Sequence, residues 1–295
     1  MTLIFILPLK QLTMNLKIRD RIFNWGERTY LMGILNVTPD SFSDGGEFNN
    51  LENALSQARY TIDNGVDIID VGGESTRPNA AAVSVEEELA RVIPIIQKIR
   101  QESSIPISID TTKAIVAQKA IAAGADIVND ISGATFDREM LTTVAKLNVP
   151  IILMHIRGNP KTMQSLTDYQ DVVAEVIKFL TVRVEKAIAC GINRSNIILD
   201  PGIGFAKTAP QSLELLQRLN ELKVLDLPML VGVSRKSFMR PILNKNDAKD
   251  RVWGTAAACY SAIARGANII RVHDVAEMHD VCRVADAIER NFVRK

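Results

Sequence analysis

The feature that most constrains the fold is a short pattern that recurs along the chain. A helical stretch ends in glycine, a small or polar pair follows, and a β-branched run then leads to a polar residue. The pattern occurs at residues 65–70, 124–129 and 266–271, with a looser copy at 191–200. Glycine ends helices because it adopts the left-handed cap conformation without a Cβ clash. A continuously apolar run suits a strand buried on both faces, so the pattern predicts helices that alternate with the strands of a parallel sheet.

Eight short apolar runs fit the strands of such a sheet. These candidate strands are Tyr30–Leu35, Ile68–Val71, Pro106–Ile109, Ile127–Asn129, Ile151–Met154, Ile197–Leu199, Met229–Val233 and Ile269–Val272. Stretches with helical spacing lie between them, among them residues 113–123, 172–189 and 275–290. Eight βα units predict an α/β fold, a single (β/α)8 TIM barrel over residues 16–295. No Gly-x-Gly-x-x-Gly follows the first strand, which argues against an open dinucleotide-binding sheet.

Composition agrees with one large core. The chain has 295 residues, is 47% hydrophobic and carries a net charge of +1, and barrels of about 250 residues fold as one domain. The charges are spread along the chain without a basic tract, so nucleic acid is not an expected partner. Cys190, Cys259 and Cys282 lack zinc-site spacing and are expected to be buried free thiols in a reducing compartment.

Residues 1–15 are interpreted as an N-terminal extension to the barrel, disordered or loosely packed. Met1–Leu9 is apolar, but no Lys or Arg precedes it, Pro8 interrupts it, and no small-residue cleavage site is clear. The run is far shorter than the ~20 residues that span a bilayer, and no later segment is long and apolar enough. We therefore expect a cytoplasmic protein with no membrane partner.

A polar or glycine-rich group follows every candidate strand. In a barrel of this type the active site lies at the carboxyl ends of the strands, so these groups converge on one mouth. They are Asn36, Gly72-Gly73-Glu74, Asp110, Asn129-Asp130, His155, Asp200, Ser234-Arg235-Lys236, and Arg271 with His273. A helix-capping role explains one polar residue after a strand, but not a complete ring.

The residues gathered at the barrel mouth include both acids and cations. Its carboxylates and amide suit a flat heterocycle that has several N–H and C=O groups, and they are Asp110, Asn129 and Asp200. Its positive groups suit a phosphate or pyrophosphate, and they are Arg77, Lys236, Arg271 and His273. Asn36 offers an amide oxygen to Mg²⁺, which binds few protein ligands beside waters and substrate phosphates. The sequence thus predicts a site for a polar heterocycle that carries an anionic leaving group.

Two loops rich in glycine and proline carry the most specific motifs. Residues 33–46 read GILNVTPDSFSDGG and residues 70–78 read DVGGESTRP. Shorter motifs follow in order: IDT at 109–111, NDI at 129–131, LDPG at 199–202, SRKS at 234–237 and RVHDV at 271–275. Together these strings resemble the bacterial dihydropteroate synthase family, from about Tyr30 to the end of the chain.

The resemblance implies an enzyme that joins a dihydropterin pyrophosphate to 4-aminobenzoate, by a dissociative mechanism without a protein nucleophile. It implies hydrogen bonds to the pterin ring from Asp110, Asn129, Asp200 and Lys236, with Arg271 on the ring face and Met154 lining the pocket. It implies that the pyrophosphate is held by Asn36, Arg77, Arg271 and His273, with Mg²⁺ near Asn36. It implies that the aminobenzoate site is shaped by Phe42, Thr76, Pro78, Phe205 and Ser234.

The resemblance also implies properties of the whole enzyme. The residues expected to carry catalysis are Asp110, Asp200, Lys236 and Arg77. Sulfonamides should compete with aminobenzoate, and helices late in the barrel should form a homodimer. The chain departs from the family motif at Ile203 and Ala206, where Phe and Gly are expected. The first change is an apolar swap and the second adds one methyl, so pterin binding is expected to survive both.

Three other interpretations stay open from sequence. A pterin-dependent methyltransferase using methyltetrahydrofolate would share the barrel and the pocket, but it has no pyrophosphate for Arg77 to hold. Lys236 would form a Schiff base in a barrel aldolase, although the adjacent Ser234-Arg235 fits anion binding better. An inactive barrel would act as a binding module. Glu74 and His155 are interpreted as structural residues.

Overall fold

A computed structural model describes residues 15–37, 46–75 and 82–290. Within these residues, eight parallel strands form a barrel and two antiparallel strands form a hairpin. The hairpin strands are β1 (Asn15–Ile18) and β2 (Arg21–Asn24). The barrel strands are β3 (Tyr30–Asn36), β4 (Ile68–Gly72), β5 (Ile107–Asp110), β6 (Ile127–Asp130), β7 (Ile151–Met154), β8 (Ile197–Asp200), β9 (Leu230–Gly232) and β10 (Ile269–Val272).

The barrel strands are arranged in the order β8-β7-β6-β5-β4-β3-β10-β9. One parallel bridge between Leu199 and Met229, together with a 2.9 Å hydrogen bond from Leu199 N to Pro228 O, joins β8 to the start of β9. This contact brings the two ends of the sheet together. All eight predicted strands and the TIM-barrel class are confirmed, and no strand boundary differs by more than one residue.

Helices follow the strands and cover the outside of the barrel. They are α1 (Gly46–Asp63), α2 (Val85–Glu102), α3 (Ala114–Ala123), α4 (Met140–Leu147), α5 (Val172–Ala189), α6 (Ala209–Gln217), α7 (Arg240–Leu243), α8 (Val252–Ala264) and α9 (Val275–Glu289). Gly124 ends α3 at φ 118°, in the left-handed conformation that the repeated pattern predicts.

The hairpin closes the amino-terminal end of the barrel, and the sequence analysis did not predict it. Phe23, Trp25 and Tyr30 form an aromatic cluster there, with ring centroids 4.7–5.7 Å apart. This cluster packs on a buried layer inside the barrel, made of Ile68, Ile127, Ile152, Ile198, Leu230 and Ile269. The predicted disorder of the extension concerns residues outside those described, apart from Asn15, which begins β1.

The expectation for the cysteines is correct for two of the three. Cys259 and Cys282 are buried free thiols, whereas Cys190 is exposed. Cys190 caps the carboxyl end of α5, beyond the last buried residue of that helix, so it faces solvent. Among the described residues, no helix has both the length and the apolar character needed to cross a bilayer.

Candidate active site

The interior of the barrel changes from apolar to polar between one inward-facing residue and the next along the strands. Because side chains alternate in direction along a strand, the residue two positions after each buried apolar residue faces the same interior. Above the apolar layer, this rule places Asp70, Asn129, Met154, Asp200 and Arg271. These side chains, apart from the partly exposed Arg271, are buried. The mouth of the barrel is therefore lined with charge over an apolar floor.

Strand register brings the polar ends of the early strands side by side. Asn36 pairs with Gly72, Gly72 pairs with Asp110, and Asp110 pairs with Asn129. A Cβ added to Gly72 would lie 3.5 Å from Asp110 Cβ and 3.6 Å from Asn36 Oδ1. The amide oxygen of Asn36 and the side chain of Asp110 thus lie on either side of Gly72, at one edge of the mouth.

Arg271 joins two acids across the barrel. Its Nε donates to Asp70 Oδ2 at 2.6 Å and its Nη2 donates to Asp110 Oδ2 at 2.7 Å. Burial raises the pKa of Asp110, the charge of Arg271 opposes that rise, and the charge of Asp70 adds to it. Burial lowers the pKa of Arg271, but the acids around it, Asp70 first, more than offset this, so the net direction is upward. The guanidinium is therefore fixed in place while it keeps its charge.

Asp200 occupies the end of β8 and is held by its own loop. Its Oδ1 accepts a 2.7 Å hydrogen bond from Gly202 N. Burial raises the pKa of Asp200 to about 6, against the lowering effects of that hydrogen bond and of Lys236. Oδ1 is committed to the backbone, so Oδ2 is the oxygen left for a ligand.

Lys207 fixes the loop that follows Asp200. Its Nζ lies 3.0 Å from Gly202 O, 3.0 Å from Phe205 O and 2.9 Å from His155 Nδ1. Burial lowers the pKa of Lys207 to about 7, and burial with the nearby cations lowers that of His155 to about 2. His155 is therefore neutral and accepts a hydrogen bond, which agrees with its interpretation as a structural residue.

Phe205 and Lys236 lie together, in the loops that follow β8 and β9. The ammonium nitrogen of Lys236 is 4.0 Å from the centroid of the Phe205 ring. Burial lowers the pKa of Lys236 to about 8, while Asp200 opposes that effect. Phe205 packs against an apolar cluster that contains Met154 and Ala206, so this wall presents carbon and sulfur to the cavity.

Ser234 and His273 form a hydrogen-bonded pair. Ser234 Oγ lies 3.1 Å from His273 N and 3.0 Å from His273 Nδ1. Burial, with the charges of Arg271 and Arg235, lowers the pKa of His273 to about 3. Burial thus favours the neutral ring in the unliganded site, and the expectation that His273 supplies positive charge to a bound anion stays a prediction. Oγ accepts from the backbone and can donate to Nδ1, which leaves an Nε2–H donor for a ligand.

The structure brings most of the predicted site together. Asn36, Asp110, Asn129, Met154, Asp200, Phe205, Ser234, Lys236, Arg271 and His273 all lie at or near the mouth. The other predicted residues, Phe42, Thr76, Arg77 and Pro78, lie outside the described residues. Glu74 accepts hydrogen bonds from Val83 N and from Lys113, and so connects the second loop to its surroundings.

Two residues with a role in this geometry were missed by sequence reasoning. Asp70 is inaccessible to solvent and holds Arg271, and its position two residues after Ile68 is a signal that could have placed it inside. Lys207 stands in a loop, where strand periodicity gives no signal. Its contacts depend on how that loop folds back on β7.

Comparisons with known proteins agree with the geometry. Residues 32–273 match the family model described as pterin binding enzyme. The chain is 60% identical over 275 residues to a dihydropteroate synthase of Synechocystis, covering 93% of this chain and 95% of the relative. A Yersinia pestis dihydropteroate synthase with a sulfonamide drug is 42% identical, with TM-score 0.88 over 95% of this chain and 100% of that chain. A Xanthomonas albilineans dihydropteroate synthase in complex with 7,8-dihydropteroate is 39% identical, with TM-score 0.84 over 95% and 100% of the two chains.

Proposed function

The chain belongs to the pterin-binding enzyme family and functions as a dihydropteroate synthase, a transferase of folate biosynthesis, and we propose how its barrel mouth performs that reaction. The substrates are (7,8-dihydropterin-6-yl)methyl diphosphate and 4-aminobenzoate, and the products are 7,8-dihydropteroate and diphosphate. The observation that carries the proposal is the network in which Arg271 bridges Asp70 and Asp110.

Asp110 and Asp200 each have one oxygen held by the protein and one left for the ring. Asp110 Oδ2 is engaged by Arg271, and Asp200 Oδ1 is engaged by Gly202 N. Asp110 Oδ1 and Asp200 Oδ2 are then acceptors for the N–H groups of a pterin. Lys236 is a donor for the acceptor atoms of the ring, and Met154 packs on it as part of the apolar wall.

The reaction proceeds by loss of diphosphate before attack. The bond between the exocyclic methylene carbon and the diphosphate oxygen breaks, and the electron pair leaves with the diphosphate. Asp110 and Asp200 stabilise the delocalised cation that remains, because fixed charges in a buried site need no reorganisation. The aminobenzoate nitrogen then bonds to the methylene carbon and releases one proton to solvent. Lys236 and Arg77 complete the proposed catalytic set.

The leaving group is proposed to lie between Asn36 and Arg271. Arg271 carries a positive charge in the mouth, and His273 offers its Nε2–H. Mg²⁺ fits the oxygen of Asn36, which lies at the edge of the mouth, and Mg²⁺ prefers few protein oxygens beside phosphate and water. When bound, the ion neutralises charge on the departing diphosphate. Arg77 is proposed to contact the same group.

The aminobenzoate is proposed to bind between Phe205 and Ser234. Phe205 provides an aromatic face and Ser234 a hydroxyl at the rim. The proposed set is completed by Phe42, Thr76 and Pro78. Sulfonamides are expected to compete at this site, in line with the sulfonamide complex of the Yersinia relative.

A homodimer is proposed through α8 and α9. Large apolar side chains are exposed on these helices, with Trp253 at 74%, Tyr260 at 39%, Val284 at 60% and Ile288 at 61% exposure. Tyr260 OH donates to Glu289 at 2.7 Å, so the two exposed faces are contiguous. The free thiols support a reducing compartment, and we place the enzyme in the cytoplasm.

The test is diphosphate release by the purified protein with the dihydropterin diphosphate, Mg²⁺ and 4-aminobenzoate. We expect release that depends on aminobenzoate, and inhibition by a sulfonamide that excess aminobenzoate reverses. Slow release without aminobenzoate would agree with loss of diphosphate before attack, whereas no release with both substrates present would contradict the proposed function. Turnover of methyltetrahydrofolate with a cobalamin acceptor would instead support the methyltransferase.

A further inference from the structure

Side-chain contacts continue the pairing of β9 and β10 beyond the ends of the two strands. The backbone register ends where Gly232 lies opposite the third residue of β10. Two contacts then follow at the same spacing of 39 residues, Ser234 with His273 and Arg235 with Asp274. The loop after β9 and the loop after β10 are thus held together residue by residue, and both loops carry residues of the proposed ligand site.

The ion pair between Arg235 and Asp274 fixes direction as well as distance. Nε of Arg235 donates to Asp274 Oδ2 at 3.0 Å, and Nη2 donates to Oδ1. The two side chains are only 25% and 11% exposed, so the pair is weakly screened by solvent. A guanidinium that holds both oxygens of a carboxylate restricts its rotation. The pair therefore restrains the loop after β10 more tightly than a single hydrogen bond would.

Helix capping does not account for an aspartate at position 274. Asp274 occupies the N-cap of α9, where a side-chain oxygen ordinarily accepts from a backbone N–H in the first turn. Its side chain makes no capping hydrogen bond here, and both of its oxygens are held by Arg235 instead. The carboxylate thus serves the contact between the two loops, and the helix begins without its help.

The backbone of Arg235 is held in an uncommon conformation. Its φ is +58°, in the left-handed region that residues with a Cβ rarely adopt. Arg235 N donates to Thr255 Oγ1 at 3.0 Å, and Arg235 O accepts from Arg251 Nη1 at 3.0 Å. Both partners are buried, one on α8 and one immediately before it. Strain of this kind persists where the surroundings hold it and is common at functional sites.

We propose that Arg235 and Asp274 are positioning residues whose ion pair sets the place of His273 and, through it, the affinity for the diphosphate group. The inference rests on the proposed function, in which His273 offers Nε2 to the diphosphate. Asp274 follows His273 directly, and Ser234 engages the backbone N and Nδ1 of His273. If the ion pair is lost, this loop loses one of the two side-chain contacts that hold it, and Nε2 is no longer aimed at one point.

The groups proposed to bind the pterin ring from the other strands are held by a different network. Asp110, Asn129 and Asp200 lie on β5, β6 and β8, and their hydrogen-bond partners are Arg271, Asp70 and Gly202 in turn. Loss of the ion pair should therefore weaken binding of the diphosphate and spare binding of the ring. Lys236 adjoins Arg235, so the first substitution is made at Asp274.

Asp274→Ser separates positioning from stability. Serine caps a helix as well as aspartate does, but it cannot form the ion pair. We expect the KM for the dihydropterin diphosphate to rise about tenfold, while the Ki of 6-hydroxymethyl-7,8-dihydropterin changes by less than about twofold, because that compound has the same ring without the diphosphate. The thermal unfolding temperature should stay close to that of the original protein, since the new cap offsets the lost ion pair. A residue that only supports the fold would change both constants together or neither of them.

A double-variant cycle tests whether the two residues act as a pair. Arg235→Gln removes the same ion pair from the other side, so it should raise the KM by a similar factor. The Arg235→Gln, Asp274→Ser double variant should have a KM within about twofold of the more impaired single variant, because the pair can be lost only once. Independent effects would multiply to about a hundredfold and would overturn the pairing. If Arg235→Gln does not fold, Asp274→Ser alone decides.

Arg28→Gln is the matched control. Arg28 forms a similar two-point ion pair with Asp67, with side chains 23% and 10% exposed, but the pair lies at the amino-terminal end of the barrel. Its loss should lower thermal stability and leave the KM unchanged.

The outcomes separate the two levels of the proposal. An unchanged KM in Asp274→Ser, or an equal rise in KM and Ki, would overturn the positioning role. An original protein that releases no diphosphate with both substrates and Mg²⁺ would instead overturn the proposed function on which the inference rests.

Discussion

Lys207 shows how one side chain can hold a catalytic loop. Its ammonium meets the carbonyls of Gly202 and Phe205 and the ring of His155. Lys207→Met leaves these buried acceptors without a donor, so we expect a loss of about 3 kcal/mol in the free energy of unfolding. The loop also carries Asp200, so the KM for the dihydropterin diphosphate should rise. Urea denaturation and steady-state kinetics measure the two effects.

Lys161→Met is the control for that change, because Lys161 is an exposed lysine. It should be neutral in stability. Equal stability of the Lys207 and Lys161 variants would show that the hydrogen bonds of Lys207 are dispensable.

The lowered pKa of His155 predicts that the folded protein loses stability as the pH falls. Its pKa is about 2 in the folded protein, against an ordinary value of 6.5. As the pH falls below 6.5, the unfolded chain takes up a proton that the folded chain refuses, so stability is lost toward acid. The loss from this group is about 2 kcal/mol between pH 6.5 and pH 5.

His155→Gln keeps an acceptor for Lys207 but has no proton to gain. Its stability should therefore decline less toward acid than that of the original protein, by about the same 2 kcal/mol. Chemical denaturation of both proteins at pH 7 and pH 5 makes the comparison. Parallel curves would mean that folding leaves the pKa of His155 unchanged.

Glycine at the ends of helices links sequence to element most directly. Gly124 and Gly191 have φ values of +118° and +96°, so an alanine is strained at either position. A Cβ at Gly124 would also lie 2.9 Å from Arg100 Cγ, whereas at Gly191 it would meet only Ala145 Cβ, at 4.0 Å. We expect Gly191→Ala to cost about 1–2 kcal/mol from backbone strain alone, and Gly124→Ala to cost more. Thermal or urea unfolding of the two variants measures the difference, which is the cost of crowding Arg100. Equal losses of stability would argue that Arg100 moves aside freely.

The same glycines explain why the barrel could be predicted and the hairpin could not. Four barrel strands, β4, β6, β8 and β10, follow a helix and a glycine, so the apolar run after that glycine identifies them. The hairpin strands β1 and β2 have four residues each and mixed burial. Their alternation is too short to distinguish from a loop, and their apolar residues are explained only by the open barrel end that they cover.

Site residues that end a strand were predicted from the sequence. Those buried further inside the barrel were missed. Asp110 and Asp200 end their strands, and the topology alone places them at the mouth. The role of Asp70 depends on which of two neighbouring residues faces inward and on a partner 201 positions away. Pairings of this kind require the closed barrel. The lowered pKa of His273 likewise follows from burial, which residue type does not reveal.

At the scale of the whole molecule, the last prediction is that the outer faces of α8 and α9 form a homodimer interface. Val284 and Ile288 are exposed, one turn apart on α9. Exposed apolar side chains gathered on neighbouring helices are typical of a surface that another protein covers. We expect the purified protein to have the mass of a homodimer in light scattering, and Val284→Glu with Ile288→Glu to shift it toward the monomer, since the isologous contact would bury four carboxylates.

Ile188→Glu is the matched control, because Ile188 is also exposed but lies on α5. It should leave the mass unchanged. Each barrel contains its own acids, cations and apolar wall, so the separated subunits should still bind pterin. A doubly substituted protein that keeps the dimer mass would place the interface elsewhere, whereas a monomer that no longer binds pterin would show that the dimer contact stabilises Arg271 and His273, which precede α9.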